Sequence, residues 1–164
     1  HSHDDNTAGC RKFPNATIYA MKPSFQGNSQ SSTSSWNRVQ KAMPGKNQDP
    51  SPSRRDVQYL SDGQVLDFNG DNIEAFALPG HTYDSSAYLV FGILFMGDSA
   101  AGQYNGRIGS APPFVSVDRN LNQRELKKLA ARLQNRKSEI DYLTFGHQGP
   151  INGLDPLLLW ASSH

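Results

Sequence analysis

The 164-residue chain carries 16 Lys+Arg against 15 Asp+Glu, a formal net charge of +1, with five His and one Cys. That length suits one domain able to bury a core. The near-zero charge argues against a dedicated nucleic-acid binder, and a single Cys excludes an intramolecular disulfide and any multi-Cys zinc module.

Residues 1–9, HSHDDNTAG, are dense in metal-type ligands and hold no fold-building pattern. Residues 10–22 read as the end of a helix, a turn at Pro14-Asn15 and a short strand over residues 17–20. Residues 24–55 form the polar stretch, with eight serines, Pro44, Pro50 and Pro52, and a net charge of +4 that leaves −3 for the rest. This stretch reads as a surface insertion or lid within a single domain of residues 1–164, with Trp36, Val39 and Met43 on one face of a short helix. A solvated loop without function fits it equally.

From Val57 the texture changes. Val57–Leu60 and Val65–Phe68 read as paired strands around the turn Ser61-Asp62-Gly63. Residues 73–78 form a strand ended by Pro79-Gly80, and residues 87–96 hold two strands hinged near Gly92. Residues 121–137 form the clearest helix, because Leu126, Leu129, Ala130 and Leu133 make one apolar stripe. Asp118 or Asn120 can cap its start, and Arg132, Arg136 and Lys137 suit its C-terminal dipole. A last strand over residues 142–145 precedes a terminal helix from Asp155 carrying Leu157, Leu158 and Trp160. The longest apolar run, residues 87–96, falls short of the roughly 20 residues that cross a bilayer. The chain therefore reads as soluble, cytoplasmic or periplasmic, and its start lacks a signal-peptide pattern.

His1, His3, His81, Asp98 and His147 each lie just past a predicted strand or within the ligand-dense start, whereas His164 reads as a tail. Loops at strand ends converge on one rim of a sheet, where active sites collect. Imidazole nitrogen and carboxylate oxygen suit zinc, iron or manganese. His1 and His3, two apart in an extended segment, would point to one side and grip one ion. A third His would close a site with an open position for water, whose pKa the cation lowers. Each of these residues alone is as compatible with a hydrogen-bonded structural role, and Gly97-Asp98 alone reads as an ordinary turn. Their joint order is the signal.

That order resembles the metallo-β-lactamase superfamily. His1-Ser2-His3-Asp4-Asp5-Asn6 matches its His-x-His-x-Asp-His motif except at the last position. Leu78-Pro79-Gly80-His81-Thr82, Phe95-Met96-Gly97-Asp98-Ser99 and Phe145-Gly146-His147-Gln148-Gly149-Pro150 resemble three further motifs in the family's order. The resemblance implies an α+β fold, an αβ/βα sandwich with metals at one edge of two facing sheets. It implies a first metal on His1, His3 and His81, a bridging Asp98, and a second metal on Asp5 and His147, with Asp5 catalytic. The implied cofactor is zinc, one or two ions, with iron or manganese possible. The implied partner is a small-molecule substrate, neither membrane nor nucleic acid. Tyr83, Tyr104 and Arg107 are candidates for substrate contact, although a turn with a structural Arg accounts equally for Asn105-Gly106-Arg107. Cys10 reads as packing rather than as a nucleophile.

Two departures matter. Asn6 stands where the family has a second-site His, and an amide is a poor zinc ligand, so it would be a weak second-site ligand at best. The family also has strands before its His-x-His motif, so the N-terminal half-sheet is expected to be incomplete here, with roughly 50–90 further residues upstream in the parent. The leading expectation is a glyoxalase-II-like hydrolase acting on an ester, thioester, lactone or amide-type bond. The alternatives are a mononuclear iron oxidoreductase of the same fold and a non-catalytic relative, with a nuclease as a fourth and weaker reading. Metal content separates the first two.

Overall fold

The computed structural model describes residues 1–13, 15–23 and 57–164. The expected insertion over residues 24–55 lies outside them, as does the helix face of Trp36, Val39 and Met43. A short helix α1 (Asp4–Thr7) runs into a 3-10 turn, followed by β1 (Ile18–Met21), β2 (Val57–Leu60), β3 (Val65–Phe68), β4 (Asp71–Ala77), β5 (Ser86–Val90) and β6 (Ile93–Phe95). Then come β7 (Ala100–Gly102), β8 (Ile108–Ser110), α2 (Arg119–Leu133), β9 (Tyr142–Thr144), β10 (Ile151–Asn152) and α3 (Asp155–Ser163).

A six-stranded sheet in the order β10-β9-β6-β5-β4-β3 forms the centre. Its neighbours are antiparallel except β6 and β9, which pair in parallel. A parallel pair needs a long crossover, and here it contains the β7–β8 hairpin and α2. Period-two alternation sends Phe76, Leu89, Leu94 and Leu143 to one face. There they pack with Leu126, Leu129 and Leu133 of α2 and Leu157 and Trp160 of α3. Ala75, Ala77 and Tyr88 lie in a second cluster with Met21 of β1 and Leu60 of β2, which form a parallel two-stranded sheet. The result is the expected α+β layering, with helices and a small sheet flanking the main sheet. Cys10 packs against Ile18, Ala20 and Val57, as expected.

The expected β2–β3 hairpin does not form. β2 pairs with β1, and β3 pairs with β4. The turn between them steps the chain from one sheet to the other: Gly63 N donates to Ala75 O, and Asp62 Oδ1 accepts from Ala77 N. Arg132 of α2 also binds both oxygens of Asp62 at 2.9 Å, so the turn is anchored to the helix layer. Adjacency in sequence was outweighed by the need of Val57 and Leu60 to be buried in the smaller sheet.

Asp118 is the helix cap, its Oδ1 accepting from Leu121 N at 2.9 Å. The helix ends at Leu133, and the next residues tighten into a 3-10 turn. Arg136 leaves helical geometry there, and its guanidinium binds Glu74 and Glu139, both at 2.8 Å. His164 is not a loose tail: its ring stacks on Trp160 at 4.9 Å, and its Nδ1 lies 3.0 Å from Trp160 O.

Asn122 of α2 is fully buried and ties three elements together. Its Nδ2 donates to Ser99 O at 2.9 Å and its Oδ1 accepts from Ala111 N at 3.0 Å. Asn122→Ala leaves a buried carbonyl and a buried amide unsatisfied. The expected loss is about 2–4 kcal/mol, measurable by urea denaturation.

Candidate metal centre

Four segments at one end of the main sheet bring the histidines and carboxylates together. The first segment does not stay extended. The carbonyl of His3 accepts from Asn6 N, Thr7 N and Thr7 Oγ1, so the chain turns helical at Asp4. That turn sets Asn6 beside His1, its Nδ2 3.2 Å from His1 Nε2. His81 follows Gly80, whose φ of +137° suits glycine at the tight turn between β4 and β5. Asp98 sits in a 3-10 turn after β6, and His147 follows β9.

Three imidazoles converge. His3 Nδ1 lies 3.2 Å from His1 Nε2 and 3.1 Å from His81 Nε2. The three ring centroids are 4.6 to 4.8 Å apart and the planes cross at 82–83°. Ligands held tetrahedrally about 2.0–2.1 Å from zinc stand about 3.3 Å from one another. The triad therefore has the spacing of a tetrahedral ion's nitrogen face. Asp98 Oδ2 adjoins it, 3.5 Å from His1 and 3.7 Å from His81. The same oxygen lies 3.3 Å from His147 Nε2, which is 3.4 Å from Asp5 Oδ2. Asp5, Asp98 and His147 thus form a second donor group sharing an edge with the first. Among the described residues, Asp98 Oδ1 is buried without a hydrogen-bond partner. A buried carboxylate so placed is compensated by a cation, so the donor set fits a metal.

The two groups differ in environment. The side chains of His1 and His81 are 2% exposed, whereas those of His147 and Asp5 are 61% and 53% exposed. Burial, and then the neighbouring His3, push the His81 imidazole down to about 4. At neutral pH it is uncharged. Its tautomer also follows from the geometry. Ser116 Oγ donates to Pro112 O at 2.6 Å, and a carbonyl can only accept. The hydroxyl proton is thereby committed, so His81 Nδ1 donates to Ser116 Oγ at 3.3 Å. His81 Nε2 is then unprotonated and faces the cluster. For Asp5, burial acts to raise the carboxyl, but the Asn6 amide, a backbone amide and the field of His147 outweigh it and hold it below its usual range.

The His81 shift predicts a pH dependence for metal-free protein. The unfolded imidazole titrates near its ordinary 6.5 and the folded one near 4, so between those values the unfolded chain binds more protons. The contribution is complete above pH 6.5 and is lost as pH falls to about 4, up to about 3 kcal/mol in total. Urea midpoints across that window measure it, and His81→Gln should flatten the slope.

Asn6 is not placed as a ligand. Its amide nitrogen donates to Asp5 Oδ1 at 3.2 Å and lies 3.2 Å from His1 Nε2. A donating NH2 group cannot bind a cation. Of the candidate substrate contacts, Tyr104 lines a cavity of about 890 Å3 beside His147 and Gln148. A smaller cavity of about 160 Å3, over His3, Asp5, His81 and Asp98, shares those same two residues. Arg107 instead lines a third cavity with Arg119 and Trp160, and Tyr83 lines none of the three. Sequence reasoning missed Ser116 and Asn122, single polar residues in a loop and a helix, with no spacing pattern to mark them.

No family model matches the chain. It is similar to the hydroxyacylglutathione hydrolase of Aeromonas hydrophila, 35% identical over 117 residues, covering 69% of this chain and 36% of that protein. It is also similar to the hydroxyacylglutathione hydrolase of Aeromonas salmonicida, 27% identical over 135 residues, covering 80% of this chain and 41% of that protein. The chain therefore spans about two fifths of the length of the curated relatives it matches. Among solved structures, the DIM-1 metallo-beta-lactamase superposes with a TM-score of 0.56 at 20% identity, over 99% of this chain and 65% of that one. Together with the sheet order and the site, these place the chain in the metallo-β-lactamase superfamily. Within it, the chain is glyoxalase II-like.

Proposed function

We propose that this chain carries the metal centre of a metal-dependent hydrolase cleaving an acyl bond, of the thioester, ester, lactone or amide type. The reading rests chiefly on the convergence of His1, His3 and His81 beside an Asp98 oxygen shared with His147. The two relatives named for hydroxyacylglutathione hydrolysis point the same way. In this reading the three imidazoles would hold one ion, with Asp98 beside them, and Asp5 and His147 would form the weaker, solvent-facing half of the centre.

A bound divalent ion supplies a Lewis acid and lowers the pKa of water in its open position. The protein's own residues do the rest. Asp5, held ionised, takes up at Oδ2 the proton of the attacking water. Water oxygen bonds to the acyl carbon, the carbon–sulfur, carbon–oxygen or carbon–nitrogen bond breaks, and the leaving group takes up the proton. His81, neutral and fixed through Ser116, would present an unprotonated Nε2 to the ion. The substrate's acyl part reaches the centre from the larger cavity through the His147–Gln148 junction.

The geometry of Asn6 favours one tight ion per chain. Elemental analysis of zinc-loaded protein is expected to give one zinc, rising to two in Asn6→His, with thioester hydrolysis assayed in parallel. One iron per chain and no hydrolysis would move the assignment to the mononuclear redox alternative. No metal in either protein would end the catalytic reading.

A further inference from the structure

Beneath the three imidazoles lies a buried polar cluster of Ser2, Thr82, Asp84 and Ser85, each at most 5% exposed. Its centre is a carboxylate. Asp84 Oδ1 accepts from Ser2 Oγ at 3.0 Å and from Thr82 Oγ1 at 2.6 Å. Thr82 Oγ1 also lies 2.8 Å from Ser85 Oγ, which accepts from Thr82 N at 2.9 Å. Asp84 is not one of the converging metal donors.

The two donors on Asp84 come from the two segments that carry the imidazoles. Ser2 stands between His1 and His3, and Thr82 follows His81. Ser2 and Asp84 are 82 positions apart, so the bond is a tertiary tie rather than a local turn. Burying a carboxylate costs several kcal/mol before hydrogen bonds offset it. An apolar residue would fill the space without that cost but would take the partner from the Ser2 hydroxyl, leave Thr82 Oγ1 only Ser85, and remove the tie between the two segments. Charge-assisted bonds to hydroxyls are directional, so these two, at 3.0 and 2.6 Å, tie the position of Ser2 to that of Thr82 and, through the backbone, that of His1 and His3 to that of His81.

We infer that Asp84 is a positioning residue, a clasp that joins the His1–His3 segment to the His81 turn and so presets the three-imidazole metal site. The inference rests on the metal-centre reading above. Its role is distinct from that of Ser116, which acts on one ring. Asp84 acts on the spacing between segments.

The test compares wild type, Asp84→Ala, Ser2→Ala and the double variant. Zinc affinity is measured by competition with a chromophoric chelator, cobalt(II) visible absorption reports ligand geometry, and metal-free thermal unfolding is followed in parallel. Outer ligands of this kind typically change metal affinity 10- to 100-fold. Asp84→Ala is expected to fall in that range and Ser2→Ala to lose about tenfold. The double variant should be no weaker than Asp84→Ala, because both changes open one clasp. The cobalt spectrum should lose intensity in each variant, a change that lowered folding stability alone would not produce. Where Asp84→Ala does not fold, Ser2→Ala decides. Wild-type zinc affinity and spectrum in folded Ser2→Ala, or losses that add in the double variant, overturn the clasp while leaving the metal centre standing. A wild type that takes up no zinc overturns both.

Discussion

Gly146→Ala is expected to leave the chain folded and to cost it metal uptake. A Cβ at position 146 would occupy the place of Asp98 Oδ1, with the carboxyl carbon only 3.1 Å away. The backbone there is not in the left-handed region, so alanine itself adds no conformational strain. The whole effect falls on the Asp98 carboxylate. Its Oδ2 must stay within 3.7 Å of His1, His81 and His147, and the added methyl drives it off that point. A displacement of about 1 Å in a reacting constellation lowers turnover by about 100-fold, while overpacking at one methyl costs about 1–3 kcal/mol. We therefore expect zinc content below that of wild type and hydrolysis reduced at least about 100-fold, with a cooperative unfolding transition retained. Elemental analysis and circular dichroism on the same sample check both halves. Wild-type zinc content in folded Gly146→Ala would show that Asp98 has room the geometry denies it.

Gly80→Ala should act on the fold instead. Here the φ is +137°, a region closed to L side chains, and a Cβ would meet the Asn122 backbone nitrogen and Cα. Backbone inside a helix cannot step aside as a flexible side chain can. The turn is further pinned by Asp118 N donating to Gly80 O at 2.8 Å and Val117 N donating to His81 O at 3.1 Å. Strain of a few kcal/mol combines with a steric conflict of similar size. We expect Gly80→Ala to lose about 4 kcal/mol or more, or to be recovered only as insoluble protein. A urea midpoint close to wild type would mean that α2 can shift away from the turn. Together the two glycines separate the roles of the end loops: one holds a carboxylate in place, the other holds the helix against the His81 turn.

Much of this was legible in the residues. The apolar stripe of α2 was plain, and its four predicted core positions are all buried. The strands from Val57 to Thr144 were bounded by Gly, Pro and Asn turns whose chemistry is local. The grouping of His1, His3, His81, Asp98 and His147 emerged from their order, because loops at strand ends share one rim, whereas Asp5 entered only through the family resemblance. What sequence could not give was non-local. The β2–β3 hairpin was inferred from adjacency, yet Val57 and Leu60 were buried beside β1 instead. The strands β7, β8 and β10 have two or three residues each, too few to show any period. The tautomer of His81 depends on Ser116, 35 positions away, and Asn6 turned its donor rather than its acceptor to the centre because Asp5 beside it only accepts.

The ligand set has a consequence for how the molecule comes into being. His3 and His81 lie 78 positions apart and His147 lies farther still, so no short stretch of nascent chain holds all three imidazoles of the first group or the whole of the second. Loop closure over such distances is slow, and an ion meeting the unfolded polypeptide would find only the part of the set that lies in residues 1–5 close together. On the proposed reading, metal would be captured late, by a chain already collapsed, and would shift the equilibrium toward that chain by mass action. At free zinc 100 times the dissociation constant the gain is about 2.7 kcal/mol. Supply of the ion would thus set how much of the newly made protein escapes proteolysis, and starvation for it would be felt first as a shorter cellular lifetime.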